Sequence, residues 1–379
     1  MNFSSFNLST PILQGIEIAG FQVPTEIQKA VIPLILEGKD IVGCAPTGTG
    51  KTAAFLLPVL ELLVRKSLKG AHLGFPQALL LSPTREIAIQ TAKFVAQFEK
   101  FTKLKTVVLC GGEKIKHQTA CLKDGADLII ATTGRTIDLL QRELLTISQI
   151  RILIIDEADK MHEMGFINDI RKIVNLIPFS RQTLLFSATM KDSIRDLMRD
   201  IQNRAKFIQI ANSSEPVQSI EHSACSVPRH KKTSLLTYIL ETESYRKVLV
   251  FVNTKQMADK LARSLNNKSI KTELLHSDKS MSFRREAMGN FKNGTCKVLI
   301  STELAARGID IDNISIVINY DTPTTPQSYI HRIGRTGRFQ SNGIALTFYS
   351  GEEEIFINRI QYYTGNKIKI KTFPSITDN

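Results

Sequence analysis

The sequence predicts an α/β protein of two tandem domains, each a parallel sheet covered by helices on both faces. Three observations carry this. Short apolar runs alternate with helix-length segments whose apolar residues recur every three or four positions. One apolar run leads straight into a Gly-rich loop ending in Lys51-Thr52, the mark of a strand–loop–helix unit. The alternation lapses once, at Ala211-Asn212-Ser213-Ser214-Glu215-Pro216, and then resumes. A length of 379 residues suits two domains of roughly 150 each. The expected division is 1–212, a linker at 213–218, and 219–379.

In the first domain the predicted strands are 40–44, 77–82, 106–110, 127–131, 151–155, 183–188 and 206–210. Between the second and third, Ile87, Ala88, Thr91, Phe94, Val95 and Phe98 share one helical face. In the second domain the predicted strands are 247–252, 270–275, 297–302, 314–319 and 343–349. Ligands on such sheets sit at the carboxyl ends of the strands.

The loop Ala45-Pro46-Thr47-Gly48-Thr49-Gly50-Lys51-Thr52 lies at one of those ends. Its backbone N–H groups and the helix that follows form an anion cradle. Lys51 would reach β- and γ-phosphates, and the Thr52 hydroxyl would bind Mg²⁺. Ala45 stands where the generic pattern has its first Gly. A second strand, Arg151–Ile155, runs into Asp156-Glu157-Ala158-Asp159. There Asp156 would hold Mg²⁺ and Glu157 would orient and deprotonate an attacking water. The second domain has no Gly-Lys-Thr loop, so a nucleotide held by the first would be completed by the second.

The net charge of +13 is spread over both halves. Residues 219–379 carry 23 basic against 15 acidic side chains, and the preceding part 26 against 21. A polyanion lying across both domains suits that surplus. Five cysteines, none in a C-x-x-C pair, argue against disulfides and zinc and for reduced thiols in a cytosol. The N-terminus lacks the pattern of a signal peptide. The most apolar run, 53–64, is too short to span a bilayer and holds Pro58 and Glu61. A soluble, cytoplasmic protein without membrane partners is expected.

With Asp-Glu-Ala-Asp at 156–159 in view, the chain resembles the DEAD-box RNA helicases, from Phe3 to about Tyr349, and looks most like their bacterial RhlE branch. The resemblance implies two RecA-like domains, with ATP and Mg²⁺ as nucleotide and metal. Gly20-Phe21 and Pro24-Thr25-Glu26-Ile27-Gln28 resemble the Q motif. Gln28 would read the adenine edge, Phe3 would stack on its ring, and Phe21 would join the pocket. Thr84 and Arg85, Gly112 of the Gly111-Gly112 pair, and Gly134 with Arg135 match segments that face RNA phosphates. Ser187 and Thr189 match the triplet that bonds toward Asp159 and couples hydrolysis to strand separation. In the second domain Asp310 would contact the ribose, Arg335 and Arg338 would be arginine fingers, and His331 would link the domains near Asp159. Arg284 and Thr302 fall in RNA-facing segments.

The family pattern is broken at four positions. Thr133 replaces a proline, Ser277 a glycine, Met281 a glutamine and Glu303 an aspartate. The implied activity is ATP-driven local unwinding of RNA duplexes or remodelling of RNA–protein complexes, in settings such as ribosome assembly or RNA decay. Pre-ribosomal or other ribonucleoprotein particles would be its partners. RNA would be gripped by its backbone with little sequence preference. Two other readings use the same residues. One is an ATP-gated RNA clamp or chaperone with weak unwinding; the other is a DNA helicase or translocase, separable by comparing RNA with DNA stimulation of ATPase. Because little sequence follows the second domain, targeting is expected from a partner or from the domain surfaces.

Overall fold

A computed structural model describes residues 2–46, 48–65, 75–202, 204–210, 220–306, 314–337 and 343–373. The chain divides into two compact units, Met1–Asn212 and Ser213–Asn379. The expected linker, 213–218, lies outside the described residues.

Unit 1 holds a parallel sheet of β1 (Ile41–Cys44), β2 (Ala78–Ser82), β3 (Thr106–Leu109), β4 (Leu128–Thr132), β5 (Ile152–Ile155), β6 (Gln182–Ser187) and β7 (Lys206–Gln209), in the order β3-β4-β2-β5-β6-β1-β7. Successive side chains on a strand point to opposite faces, and here both faces are buried. Leu80, Ile152, Ile154, Leu184 and Phe186 pack with the helices Thr10–Ile18, Glu26–Leu36, Lys51–Val64 and Arg85–Thr102. Leu79, Leu81, Leu153, Ile155 and Leu185 pack with Leu139, Ile170, Ile173, Ile194 and Leu197 of the opposite layer. Continuous apolar strands follow from this double coverage. The helix Lys51–Val64 is buried nearly all round, Glu61 included. That carboxylate accepts from the Ser9 backbone N–H at 2.8 Å and its hydroxyl at 2.7 Å, and pairs with Arg65.

Unit 2 repeats the plan. Its strands are β8 (Ile220–Ser226), β9 (Val248–Val252), β10 (Thr272–Leu275), β11 (Val298–Thr302), β12 (Ile316–Asn319), β13 (Gly343–Tyr349) and β14 (Lys369–Ile370), ordered β10-β11-β9-β12-β13-β8-β14 and all parallel. Adding seven to each strand of unit 1 reproduces this order. Both sheets are the parallel, doubly covered kind the sequence predicts.

Two of these strands have no counterpart in the sequence prediction. β8 reads Ile-Glu-His-Ser-Ala-Cys-Ser, and its polar members break any apolar run. Burial is tolerated because each finds a partner: His222 Nδ1 lies 2.7 Å from the Tyr329 hydroxyl, and Ser223 donates to the Ala345 carbonyl at 3.1 Å. β14 is two exposed residues at the sheet edge, too short to give a periodic signal. Among the described residues no helix is long and apolar enough to cross a membrane.

Candidate functional site

Sheet order sorts the predicted residues of unit 1 into two neighbouring groups. Along the carboxyl edge, β3, β4 and β2 lead into Gly111-Gly112, Thr133-Gly134-Arg135 and Thr84-Arg85. Then β5, β6 and β1 lead into Asp156-Glu157, Ser187-Ala188-Thr189 and the Gly-rich loop. Segments scattered over the sequence thus become one continuous edge, half of it beside the loop and half beyond Asp156.

In the loop, Gly48 and Gly50 have φ of 88° and 86°, left-handed values that glycine takes without steric cost. A Cβ on Gly48 would meet nothing within 4 Å, whereas one on Gly50 would lie 2.4 Å from Gln28 Nε2. Gln28 is buried and bridges two elements. Its Oε1 accepts from the Thr25 backbone N–H at 2.9 Å, capping the helix Glu26–Leu36, and its Nε2 donates to the Gly50 carbonyl at 3.2 Å. Lys51 and Thr52 open the next helix, whose first amide groups have no intrahelical acceptor. The Lys51 ammonium is buried and donates to the carbonyls of Ala45 and, at 2.9 Å, Pro46. Desolvation lowers its pKa, while Asp156, Glu157 and Asp159 oppose that shift. The Thr49 hydroxyl donates to the Pro46 carbonyl at 2.8 Å, bracing the loop.

Beside the loop stand three carboxylates. Asp156 is 4% exposed and pushed up to about 7, first by desolvation and then by Glu157, with Lys51 and Lys160 pulling the other way. Its Oδ1 accepts from the Glu157 N–H at 2.9 Å. Glu157 itself has φ 53° and ψ 49°, a left-handed backbone that costs a non-glycine residue on the order of 1–3 kcal/mol. Its carboxylate pairs with buried Lys160. Asp159 accepts from the Thr189 hydroxyl at 3.3 Å, and Ser187 donates to the Thr189 carbonyl at 2.6 Å. The backbone N–H of Ala45 donates to the Ser187 carbonyl at 3.1 Å, so the triplet is tied to both the loop and the acidic turn.

This donor set fits a nucleotide triphosphate with Mg²⁺. The backbone amides of the helix start and the Lys51 ammonium are donors for phosphate oxygens, and a buried carboxylate with a hydroxyl is the oxygen chemistry Mg²⁺ takes. Asp156 and Thr52 are the residues that would hold the ion.

The aromatic prediction is revised in one respect. Phe3 is 4% exposed, wedged against Phe6 and Phe21 with ring centroids 6.1 and 6.3 Å away. A ring so enclosed has no open face for a base. Phe21 is the half-buried member, resting on Phe94 at 5.9 Å, and Phe3 braces it from behind.

On the other half of the edge, Thr84 caps the helix Arg85–Thr102. Arg85 donates to the Gly111 carbonyl at 2.6 Å and pairs with Glu113 at 2.6 Å. Arg135 donates to Gln118 Oε1 at 2.9 Å. Gly112 has φ 78°, and a Cβ at Gly134 would meet nothing within 4 Å. Thr133 is the first residue of the helix Thr133–Gln141, buried with its hydroxyl 3.8 Å from Met161 Sδ. That position also suits proline, whose missing N–H would have had no intrahelical partner. The replacement therefore leaves the helix start intact.

In unit 2, Thr302 ends β11 and Arg284 lies in the first turn of the helix Met281–Lys292. Glu303 accepts from Ser328 and from Arg332 Nε at 3.3 Å, and His331 Nδ1 lies 4.0 Å from it. Arg335 is buried just past the helix Pro326–Ile333. Ser277 lies within 3.5 Å of Asp278. Thr47, Asp310, Arg338 and the side chain of Met281 lie outside the described residues.

Three contributors escape the sequence reading. Lys160 counters the carboxylates, Gln118 links the Cys110 carbonyl at 2.8 Å to Arg135, and Arg332 ties three strand ends together. Arg332 donates to the Asp321 carbonyl at 2.9 Å and Asn253 Oδ1 at 2.7 Å besides Glu303, and lies over the Phe251 ring. Only Lys160 had a legible signal, a charge one turn from Glu157.

Two family models match the chain: the DEAD/DEAH box helicase over residues 25–197 and the helicase conserved C-terminal domain over 231–340. The DEAD-box ATP-dependent RNA helicase CshA of Geobacillus kaustophilus is 37% identical over 376 residues, 99% of this chain and 79% of its own. The ATP-dependent RNA helicase vasa of Drosophila melanogaster is 40% identical over 355 residues, and the match spans only 53% of its length. Among solved structures, S. cerevisiae Dbp5 bound to RNA and ADP BeF3 matches with a TM-score of 0.85 at 31% identity, covering 98% of this chain and 95% of that one.

Proposed function

We propose that this chain, which belongs to the DEAD/DEAH box helicase family, is an ATP-dependent RNA helicase that melts short RNA duplexes or remodels RNA–protein complexes. The observation that carries the proposal is the sheet order of unit 1. It sets the phosphate loop, acidic turn and Ser187–Thr189 on one half of an edge and the RNA-facing set on the other. Asp159 stands between them, bonded to Thr189.

In this reading the loop amides and Lys51 hold the β- and γ-phosphates. The ammonium leaves the Ala45 and Pro46 carbonyls to do so. Mg²⁺, when bound to Thr52 and Asp156, neutralises charge on the transferring phosphoryl group. Glu157 orients the attacking water and takes its proton. Gln28 has one amide hydrogen and one lone-pair site left after bonding Gly50 and Thr25. Adenine asks for that pair, a donor to its N7 and an acceptor for its exocyclic amine. Phe21 offers the ring face beside it.

Unit 2 would supply the remaining groups. Arg335 and Arg338 meet the γ-phosphate, Asp310 the ribose, and His331 the neighbourhood of Asp159. Thr84, Arg85, Gly112, Gly134, Arg135, Arg284 and Thr302 hold RNA phosphates and 2′-hydroxyls. For Arg85 this means exchanging Glu113 for phosphate. A cytoplasmic setting among pre-ribosomal or decay complexes suits such a chain.

The test is steady-state ATPase with and without single-stranded RNA and DNA. RNA should stimulate and DNA should not. Lys51→Ala should abolish turnover, and Glu157→Gln should retain ATP and RNA without hydrolysis. Arg335→Ala should bind ATP yet turn over roughly 10³-fold or more slowly, the worth of an arginine finger. Turnover in Lys51→Ala equal to the unaltered chain would refute the site.

A further inference from the structure

We infer that the end of the last helix of unit 2 and the edge strand after it form a second binding site for single-stranded RNA. The inference rests on the helicase reading for the identity of the nucleic acid. The helix Glu354–Thr364 turns Ile357 and Ile360 into the core beside Tyr329 and Ile333. Its opposite face carries Arg359, Tyr362 and Tyr363, which are neighbours at spacings of three and four. Tyr362 is 93% exposed and Tyr363 48%. An aromatic ring almost wholly in water is unusual for a residue of intermediate burial preference.

The cations that flank these tyrosines in the chain, Arg359, Lys367 and Lys369, are exposed. Gly365, with φ 66°, ends the helix, and the chain doubles back through Lys367 and Ile368 into β14. Ile368 is buried and its N–H donates to Gln361 Oε1 at 2.9 Å, which pins this return to the helix end. Exposed Lys367 and Lys369 therefore lie on an ordered surface, and Ile370 adds an exposed apolar side chain on the edge strand. Among the described residues Arg359, Lys367 and Lys369 make no ion pair, whereas Lys371 pairs with Glu221 at 3.1 Å. The acidic run Glu352–Glu354 sits at the far end of the helix, about 15 Å away at 1.5 Å per residue.

Exposed tyrosines interleaved with unpaired cations are what a single strand requires. Bases stack on the rings and phosphates lie against the ammonium and guanidinium groups. A duplex would not use the rings, because its bases are already stacked on each other. A protein partner would be better served by a contiguous apolar face than by three unpaired cations. The site would hold strand that extends beyond the residues proposed to grip RNA, keeping the chain on its RNA through high effective concentration.

The experiment is fluorescence anisotropy of the full chain with labelled oligouridine of 10 and 30 nucleotides. It compares the unaltered chain with Tyr362→Ala/Tyr363→Ala and with Lys367→Gln/Lys369→Gln. For the 30-mer, the tyrosine variant should lose at least about fivefold in affinity, the lower end of base–aromatic stacking. The lysine variant should have a salt dependence shallower by about 1.4 in log–log slope, for two lost phosphate contacts. Binding and ATPase stimulation by the 10-mer should be unchanged in both, because no helicase residue is altered. Crosslinking with 4-thiouridine strands should mark the peptide 360–367 in the 30-mer complex only. Equal 30-mer affinities in all three proteins overturn the site. So does an unchanged RNA affinity accompanied by a shift in oligomeric state, which would assign the face to protein contact. If the 10-mer fails to stimulate the unaltered chain, the helicase reading has failed instead.

Discussion

Lys160 closes an ion pair on Glu157 from one helical turn away, with the two side chains 9% and 17% exposed. The lysine follows directly on Asp-Glu-Ala-Asp and faces a group that must be aimed, not merely present. Glu157 holds a left-handed backbone, so its carboxylate leaves the turn at an angle that this charge-assisted bond fixes.

Lys160→Met should therefore lower RNA-saturated turnover about tenfold, a fraction of the 10²–10⁴ a general base supplies. The KM for ATP should hardly move, because the phosphate loop is untouched. Lys160→Arg should restore most of the rate. Rapid-quench turnover at saturating ATP and RNA measures it, and a rate within twofold of the unaltered chain would make Lys160 a structural counter-charge only.

Gly50 and Gly48 share a backbone conformation but not a neighbourhood, which separates strain from contact. Alanine at either position meets an unfavourable φ, worth on the order of 1 kcal/mol or more. At Gly50 alone the new methyl would also displace the Gln28 amide. Gly50→Ala should erode the preference for ATP over GTP, whereas Gly48→Ala should keep it while losing stability. Competition between the two nucleotides in an ATPase assay decides. Equal selectivity in both variants would detach Gln28 from the base.

Most of this site was legible because its residues sit at strand ends, where an apolar run stops and a polar motif begins. Asp156 after Ile152–Ile155 and Ser187 at the end of β6 are of that kind. What the sequence could not convey is which strand lies beside which. The order β3-β4-β2-β5-β6-β1 is a matter of crossovers, and only it reveals that the residues predicted for phosphate and those predicted for RNA occupy adjoining halves of one edge. Buried polar partners were equally hidden. Nothing in the spacing of Gln118 or Arg332 distinguishes a satisfied core group from a solvated one, and the enclosure of Phe3 depends on Phe6 and Phe21 folding over it.

Asp156 sets activity against stability. Burial beside Glu157 raises its pKa from 3.8 to about 7, so the folded chain favours its protonated form more than the unfolded chain does. That contribution is complete below the unfolded value and is lost as pH rises through 7. Above 7 the charged carboxylate is a liability, and Asp156→Asn removes it while keeping an oxygen for the Glu157 N–H. In EDTA the variant should gain several degrees in Tm at pH 8, about half as much at pH 5.5 and little below pH 4, while losing ATPase. A Tm difference independent of pH would refute the electrostatic account.

The last prediction concerns a lysine that has the place of Lys51 and none of its freedom. Unit 2 repeats the sheet of unit 1, with β8 in the position of β1. Lys51 starts the helix that follows β1, and Lys232 starts the helix that follows β8. Lys232 is buried, however, and its ammonium is 3.0 Å from Glu353 and 3.4 Å from the Phe348 carbonyl. Burial works to raise Glu353, but the Ser350 N–H and Lys232 overcome it and hold the carboxyl below its ordinary value. A depressed carboxylate adds stability above the unfolded pKa, lost as pH falls through the folded one. Lys232→Met leaves that carboxylate without its cation. Unit 2 should lose about 3 kcal/mol, the low end for a broken buried pair because Glu353 keeps some solvent. The loss should shrink as pH falls toward 4, where Glu353 takes up a proton. Lys232→Met/Glu353→Gln should regain most of it, since an apolar and neutral pair has no charge to desolvate. Urea unfolding at pH 7.5 and 4.5 checks each step. A double variant no more stable than Lys232→Met would mean that packing of the lysine stem, not its charge, is what the position requires.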